Sequence, residues 1–448
     1  MRILLDQSVH DHRNQGNNSL LDIALKRFRN YWPEASYEVI SNSPHLCRVY
    51  FPGSRPVSPD NLLAFESRLN TLHRIMPQQL WRLLFELREV RNSRNNLSSE
   101  KRQISAFDGF ESRYGEQDQS QYSDSESELV TQPAPIEQAS PETYHRMADY
   151  DLYSATGGGY MCDSDKERLL QVFDRLEAAI AYGIPAVMVG QGVGPMDDAE
   201  LLARAREVLP RLDYILIREE CNARPLLESL DVPPSKVIMT GDDAIELAYQ
   251  ARKEKPGRGI GLSLRVAQYT GLNKDHIAEI RPIVIEIAQK YGAELIAAPI
   301  DVNDTDKHFS EQLMNGYPKT SSSWRKFETP GEIIRRISRC RIMISGTFHG
   351  AVFALSQGIP VVGLAITDEY HKKLSGLTAE FGEKGCQVIH LSKNDEEQRL
   401  AEAIDQAWIS ADVLRPQLLR NAERQIDSGH AAYDKIFALF ETRSQSKQ

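Results

Sequence analysis

Short apolar segments alternate with amphipathic helical segments along most of this 448-residue chain. The apolar segments are rich in Val, Ile and Leu, and the segments between them have apolar residues at helical spacing. Strands that alternate with helices are typical of parallel sheets, which bind ligands beyond the carboxyl ends of their strands. The alternation therefore predicts an α/β fold and directs the search for a functional site to the residues that follow each strand.

The alternation falls into two blocks, separated by a charged Lys/Pro/Gly segment around Ala251–Arg258. The strands predicted in the first block are Arg2–Leu5, Ser36–Ile40, Asp151–Ala155, Pro185–Val189, Asp213–Ile217 and Val237–Thr240. The strands predicted in the second block are Ile260–Leu264, Glu294–Ala298, Ile342–Ser345, the apolar run after Gly358, and Gln387–Leu391, with closing helices in Arg399–Phe440. We predict two Rossmann-like lobes, residues 1–250 and 258–448, with a cleft between them.

A polar stretch interrupts the first block. Pro59–Val90 predicts one or two amphipathic helices, and residues 91–141 are then mostly Ser, Gln, Asn and Glu. Such a segment buries too little apolar surface to offset its ordering entropy, so we predict a disordered polar and acidic insertion. A tolerated surface insertion is favoured over a mobile lid or a partner-binding tail.

Composition excludes several functional classes. Lys and Arg number 53 against 63 Asp and Glu, a net charge of −10, which does not favour binding to nucleic acid or to an anionic membrane. Five scattered cysteines without a CxxC pair predict neither disulfides nor structural zinc. No signal peptide or apolar run of about 18 residues is present, so we expect a soluble cytoplasmic protein, with peripheral membrane association left open. No metal or cofactor is predicted.

The segment Arg341–Ala365 is the clearest βαβ unit. Its first strand ends in a sharp turn, and His349 stands at the start of the following helix. Free N–H groups and the helix dipole favour an anion there, and a histidine titrates near neutral pH. An isolated histidine at such a place more often caps or packs, so other residues at the same edge must decide its role.

Further polar and glycine residues follow the other strands. Gly157, Gly158 and Gly159 form either a tight turn or a phosphate cradle, and the GQGVGP loop with Gln191 and Gly192 is interpreted in the same way. Neither is a Walker loop, because no GK[ST] follows. Arg218 and Arg265 each end a strand in a different lobe, and a guanidinium suits a carboxylate or phosphate. For both, an ordinary salt bridge is an equal alternative, for Arg218 with Glu219 or Glu220.

Acidic residues after two strands have weaker patterns. Asp242 and Asp243 are interpreted as helix N-caps rather than as a base or a metal site, because no third ligand stands at helical spacing. Asp301, Asp304, Asp306 and His308 are interpreted as a polar loop that at most recognises an acceptor.

Taken in order, these motifs resemble the polysaccharide pyruvyl transferase family. The matching patterns are GGG, GxGxGP, DxxxxRE, GD-x-A, GxSLR and SGxxHGxxxALxxGIPVVGL, together with NxGNxSLL around Asn14 and Gly16 and with Tyr370 before Lys372 and Lys373. The resemblance spans Arg2 to about Leu391 apart from the insertion. It implies a GT-B-like fold and transfer of an enolpyruvyl-derived unit from phosphoenolpyruvate to sugar hydroxyls of a cell-surface glycan or its lipid- or nucleotide-linked precursor.

The resemblance also implies roles for individual residues. His349 becomes the acid/base candidate, Arg218 the phosphate or carboxylate ligand, and Arg265 a second anion contact. The remaining predicted substrate contacts are Gly157, Gly158, Gly159, Gln191, Gly192, Thr347, Lys373, Asn14 and Gly16. One position departs from the family: where members often have R-[LF]-H, this chain has T-F-H with Thr347. Arg265, Lys372 and Lys373 are the candidates to supply the missing charge.

Two other functions remain open from the sequence. The first is a nucleotide-sugar glycosyltransferase of the same two-lobed shape, although no acidic residue for a donor ribose stands out in the second block. The other is a binding protein that keeps the cleft but has lost catalysis.

Overall fold

The strands assemble into two parallel sheets, one from each block of the sequence. The computed structural model describes residues 1–7, 10–58, 147–265, 270, 272–301, 304–322, 328–391 and 396–445. The helices predicted in Pro59–Val90 and the insertion predicted at 91–141 lie outside the described residues.

The first sheet has eight strands in the order β3-β2-β1-β4-β6-β7-β8, with β5 paired to β6. Its strands are β1 (Arg2–Asp6), β2 (Ser36–Ile40), β3 (Ser54–Val57), β4 (Leu152–Ala155), β5 (Gly158–Met161), β6 (Ala186–Val193), β7 (Tyr214–Ile217) and β8 (Val237–Met239). Every pair is parallel, and β1 reverses the strand order, with β2 on one side and β4 on the other. Such a reversal opens a crevice at the carboxyl ends of the strands.

The second sheet repeats this plan with six strands in the order β11-β10-β9-β12-β13-β14. Its strands are β9 (Gly259–Ser263), β10 (Glu294–Ala297), β11 (Thr320–Ser321), β12 (Cys340–Ser345), β13 (Val361–Ala365) and β14 (Cys386–His390). Here β9 reverses the order between β10 and β12. The predicted α/β fold with two Rossmann-like lobes is confirmed.

Twelve helices lie in the described ranges. They are α1 (Gln15–Tyr31), α2 (Pro44–Tyr50), α3 (Lys166–Ala181), α4 (Ala199–Val208), α5 (Ala223–Ser229), α6 (Ala244–Gln250), α7 (Lys274–Tyr291), α8 (Asp304–Met314), α9 (Pro330–Ile337), α10 (Phe348–Ser356), α11 (Asp368–Phe381) and α12 (Glu396–Gln445). Polar side chains begin many of them: Asn14 caps α1, and Thr329 with Glu332 forms a capping box at α9.

The central strands are buried on both faces, as parallel strands covered by helices must be. All eight residues of β6 and all five of β9 are buried. Helices pack on both faces of each sheet, so each lobe has two apolar clusters. This packing fixes the carboxyl edges from which the polar residues project.

Three local predictions are wrong. Strand β6 continues through Gln191 to Val193, because a register irregularity after Met188 and a positive φ of 64° at Gly190 carry the strand past the predicted loop start. Gly158 and Gly159 begin β5 rather than a turn, since the following Tyr160 and Met161 are buried in the apolar core. The predicted polar loop after β10 becomes helix α8 from Asp304 onward.

Helices cross between the two lobes. Helix α6 follows the first sheet, yet its Ala244 and Ile245 pack in an apolar cluster with α10 and β13 of the second. The predicted closing helices are a single 50-residue helix, α12. Its Tyr433 and Ile436 pack with Ile3 in the core of the N-terminal lobe. Each lobe therefore packs against a helix that comes from the other half of the sequence.

Candidate active site

A cleft of about 680 Å³ lies between the carboxyl edges of the two sheets. The N-terminal lobe contributes Asn14, Gly159, Gly192 and Arg218, and the C-terminal lobe contributes Arg265, Thr347, His349, Tyr370, Lys372 and Lys373. The cleft thus gathers residues that are up to 359 positions apart in the sequence, from Asn14 to Lys373. It is the strongest candidate for the functional site.

Arg218 follows β7 and is buried, with 5% of its surface exposed. Its guanidinium lies against the backbone of Gly192, where an added Cβ would be 2.5 Å from Nη2. The ring of Phe348 covers it at 3.9 Å from the centroid, and Nη1 donates to Asp242 at 3.3 Å. The alternative of an exposed salt bridge with a neighbouring glutamate is wrong. Arg218 is instead a fixed cation at the wall of the cleft.

His349 lies in the first turn of α10 and is 8% exposed. Thr347, rather than His349, caps this helix by accepting a bond from the Gly350 amide. The His349 ring packs so closely on α1 that a Cβ at Gly16 would overlap it. Within the described residues its Nε2 has no hydrogen-bond partner, and the nearest carboxylate oxygen is Asp242 Oδ2 at 3.7 Å.

The surroundings of His349 favour the neutral imidazole. Burial, together with the positive charges of Arg218 and Lys373, holds the pKa of His349 well below its usual 6.5. An anion bound beside these cations would cancel part of their field and raise the pKa of His349. The ring is therefore placed to gain a proton when an anionic ligand enters.

Lys373 is the second cation close to His349. It is half-buried on α11, and its Nζ would be 2.6 Å from a Cβ added at Gly159. Burial and the nearby Arg218 guanidinium lower the pKa of Lys373 to about 8. Two cations held this close repel one another, and an anion bound between them would relieve that repulsion.

Asp242 is a residue of this site that the sequence did not reveal. It is 4% exposed, and its Oδ1 accepts from the Ala244 amide at 3.0 Å, whereas its Oδ2 faces both Arg218 and His349. Burial raises the pKa of Asp242, and Arg218 opposes that rise. The available signal was its position just after β8, at the same edge as Arg218.

The neighbouring Asp243 stands at the predicted N-cap position of α6. Within the described residues its side chain makes no capping bond. Arg27 of α1 donates to it at 2.6 Å instead, deep in the protein. Burial raises the pKa of Asp243 to about 6. The pair joins α1 to α6 behind the cleft.

Thr347 and Arg265 are both engaged with protein groups. The hydroxyl of Thr347 lies 2.6 Å from that of Ser263. Arg265 Nη1 donates to Asp301 at 2.7 Å and lies 3.7 Å from Asp306. Asp301 and Asp306 therefore belong to an ion-pair group with Arg265. Among the three candidates for the missing family arginine, Lys373 is the one whose charge acts on both Arg218 and His349.

Four predicted contact residues stand behind the cleft wall rather than in it: Gly16, Gly157, Gly158 and Gln191 are not among the lining residues. Gln191 donates from Nε2 to the carbonyls of Ala155 and Val189 at 3.0 and 3.2 Å, which ties β4 to β6. These residues shape the backbone that carries Gly192 and Gly159.

In the part of the chain that the structure describes, no group of three or more His, Cys, Asp or Glu side chains is arranged to hold a metal ion. None of the described helices combines the length and apolar character needed to cross a membrane. The site offers the cations Arg218 and Lys373, a buried imidazole whose Nε2 has no hydrogen-bond partner within the described residues, and the carboxylate of Asp242 beside it. Such a group can bind a small anion and exchange a proton with it.

Solved structures share this fold at low sequence identity. A putative UDP-N-acetylglucosamine 2-epimerase from Listeria monocytogenes matches with a TM-score of 0.58 and 11% identity, over 99% of this chain and 97% of its own. A UDP-GlcNAc 2-epimerase from Neisseria meningitidis, bound to UDP-GlcNAc, matches with a TM-score of 0.53 and 12% identity, over 98% and 100%. The glycotransferase of kitacinnamycin matches with a TM-score of 0.50 and 10% identity, over 97% and 98%. These likenesses show a GT-B-like fold and nothing about substrates.

Sequence comparison is more specific. No curated protein is significantly similar to the chain. The model of the family described as polysaccharide pyruvyl transferase matches residues 14–368, which include Arg218, Asp242 and His349. Because this match covers well over half of the 448 residues, the chain belongs to the polysaccharide pyruvyl transferase family.

Proposed function

We propose that this transferase moves a pyruvyl unit from phosphoenolpyruvate to two hydroxyls of one sugar in a cell-surface glycan or its precursor. The product is a ketal, and phosphate is released. The observation that carries the proposal is the convergence of Arg218, Lys373 and His349 at one wall of the cleft. Phosphoenolpyruvate has a carboxylate and a phosphate, so it suits two cations beside a group that transfers protons.

Arg218 and Lys373 each contribute part of the binding of the donor. The guanidinium of Arg218 is fixed between Gly192 and Phe348, so it loses little freedom when it binds a carboxylate or phosphate bidentately. Lys373 supplies the charge that the family arginine supplies at the position of Thr347. A bound anion would raise the pKa of Lys373 toward that of an ordinary ammonium, so charge neutralisation adds to the affinity.

The proton balance assigns the role of His349. Protonation of the methylene carbon of phosphoenolpyruvate leaves a cationic centre at the next carbon, where a sugar hydroxyl adds and loses its proton. The bond from that carbon to the phosphate oxygen then breaks, and a second hydroxyl adds and loses its proton. One proton is added to the methylene carbon, and two are lost from the sugar hydroxyls. The departing phosphate takes up the one proton in excess. His349, neutral until the donor binds, delivers the first proton and accepts a later one.

Asp242 positions the other two groups. Its Oδ2 faces Nη1 of Arg218 at 3.3 Å and Nε2 of His349 at 3.7 Å, and its Oδ1 is fixed by the amide of Ala244. A carboxylate here stabilises the imidazolium that forms during the reaction and keeps the guanidinium in place.

A donor-binding screen by calorimetry tests the proposal. We expect phosphoenolpyruvate to bind the wild type, and Arg218→Ala to weaken this binding at least tenfold, about 1.4 kcal/mol. Arg224→Ala is the matched control, since Arg224 is a partly exposed arginine paired with Glu220. Binding of a UDP-sugar with none of phosphoenolpyruvate would contradict the proposal and favour a nucleotide-sugar glycosyltransferase.

A further inference from the structure

A second pocket of about 360 Å³ adjoins the cleft on the N-terminal lobe. We call it the outer pocket. Its lining residues are His10, Asp11, Asn42, Glu167, Arg168 and Gln171. Arg168 lines both cavities, so the outer pocket begins where one wall of the cleft ends. Its volume is at the lower end of the ~300–1,000 Å³ of ordinary small-molecule sites.

The outer pocket lies at the switch point of the first sheet. His10 and Asp11 follow β1, the strand at which the strand order reverses, and Asn42 follows β2. Glu167 and Gln171 stand four residues apart on α3 and therefore share a face of that helix. A crevice at such a point is where open parallel sheets bind ligands.

The position of His10 is set by a buried carboxylate. Nε2 of His10 lies 3.0 Å from Asp6 Oδ1, and Asp6 is 1% exposed. The other oxygen of Asp6 accepts from the Tyr153 hydroxyl and from Arg175 Nε, each at 2.6 Å. This network holds the His10 ring in place before any ligand arrives, which lowers the ordering cost of binding.

The charges of the outer pocket do not suit an anion. Asp11 and Glu167 bring two carboxylates to it. Arg168 already has a carboxylate partner, with Nη1 3.2 Å from Asp165 Oδ1. A pyrophosphate or nucleotide would be repelled, whereas carboxylates and the amides of Asn42 and Gln171 are the groups that hydrogen-bond uncharged hydroxyls.

We propose that the outer pocket binds a second sugar unit of the acceptor. The sugar that receives the pyruvyl unit occupies the cleft, and the chain continues past Arg168 into the outer pocket. The acceptor is then an uncharged oligosaccharide segment rather than a single sugar. The identity of the sugar in the cleft rests on the proposed function, but the binding in the outer pocket does not depend on the donor.

Ligand-observed NMR titration tests this without turnover. The probes are monosaccharide and disaccharide fractions from an acid hydrolysate of cell-envelope polysaccharide. We expect the wild type to bind the disaccharide fraction about tenfold more tightly, the gain from one or two added hydrogen bonds. Gln171→Trp fills the outer pocket from an exposed position on α3 and should reduce that ratio to about one. Ala181→Trp, at the exposed end of the same helix, is the matched control and should keep the ratio.

Each other outcome overturns the inference. Equal affinity of the wild type for the two fractions would mean that the outer pocket holds no sugar. An equal ratio of disaccharide to monosaccharide affinity in Gln171→Trp and Ala181→Trp would also mean that the outer pocket holds no sugar. So would the absence of binding of either fraction. If the proposed function is wrong, phosphoenolpyruvate will not bind, but these sugar affinities will be unchanged. The two failures can therefore be distinguished.

Discussion

The position of Arg218 depends on Gly192, which has no side chain. The guanidinium occupies the space where Gly192 would have its Cβ, with Nη2 and Nε at 2.5 and 2.6 Å from that point. A larger residue at 192 must therefore displace the guanidinium or the strand. The glycine of the GQGVGP motif thus leaves space for a side chain 26 positions later, from 192 to 218.

Gly192→Ala tests this contact. We expect kcat/KM for phosphoenolpyruvate to fall by about 100-fold, because a displacement of about 1 Å in a positioning group can cost that much. Gly331→Ala is the matched control, since its Cβ would meet only Arg335 Nη1, at 3.5 Å. Equal kcat/KM in the two variants, with unchanged Tm, would show that Arg218 does not depend on Gly192.

The lowered pKa of Lys373 predicts that kcat/KM depends on pH. Its pKa is lowered to about 8, so the ammonium is present below pH 8 and is lost as the pH rises through that value. Because only the charged form attracts the donor anion, kcat/KM for phosphoenolpyruvate should fall above pH 8. This ratio reports the groups of the free enzyme. The measurement is the pH profile of kcat/KM.

The control for that profile is Lys373→Arg, whose guanidinium stays charged over the whole range. The fall above pH 8 should disappear in this variant, whatever its absolute rate. A fall at the same pH in Lys373→Arg would assign it to another group.

At the scale of elements, α12 links the two lobes. Its early part packs on the second sheet, whereas Tyr433 packs in the N-terminal core, with its ring 5.1 Å from that of Phe28 and 5.0 Å from the guanidinium carbon of Arg27. Arg27 in turn binds Asp243, the residue next to Asp242. The end of the chain thus supports the backbone that carries part of the site.

Tyr433→Ala should lower the free energy of unfolding by about 3–5 kcal/mol, the cost of removing a fully buried aromatic ring. Tyr433→Phe keeps the ring and should cost less than about 1.5 kcal/mol. The measurement is denaturant unfolding, with Val413→Ala on the exposed face of α12 as control. If Tyr433→Ala were as stable as Val413→Ala, the end of α12 would not belong to the core.

At the scale of the whole molecule, the features predicted correctly are those that local sequence patterns encode. Strand Ser36–Ile40 has the predicted bounds, because apolar periodicity marks it. The gathering of Arg218 and His349 followed from the rule that parallel strands present their carboxyl ends at one edge. Asp242 was missed because a GDD sequence before a helix is also the pattern of an N-cap.

Other features depended on contacts that no local pattern contains. The alternative that paired Arg218 with an adjacent glutamate was wrong because Asp242, 24 residues away, lies beside it in three dimensions. Lys373 and Arg265 were equal candidates for the missing charge until Arg265 was found next to Asp301 and Asp306. Such outcomes depend on how the two sheets and the shared helices α6 and α12 meet, which a linear pattern does not specify.

The most direct test of the account is phosphate release from phosphoenolpyruvate by the purified protein, with and without a cell-envelope glycan extract. We predict release that depends on the glycan, abolished in His349→Ala and kept in the control His371→Ala, whose histidine does not line the cleft. Release in His349→Ala at the wild-type rate would remove His349 from catalysis. No glycan-dependent release by the wild type would contradict the assignment of phosphoenolpyruvate as donor.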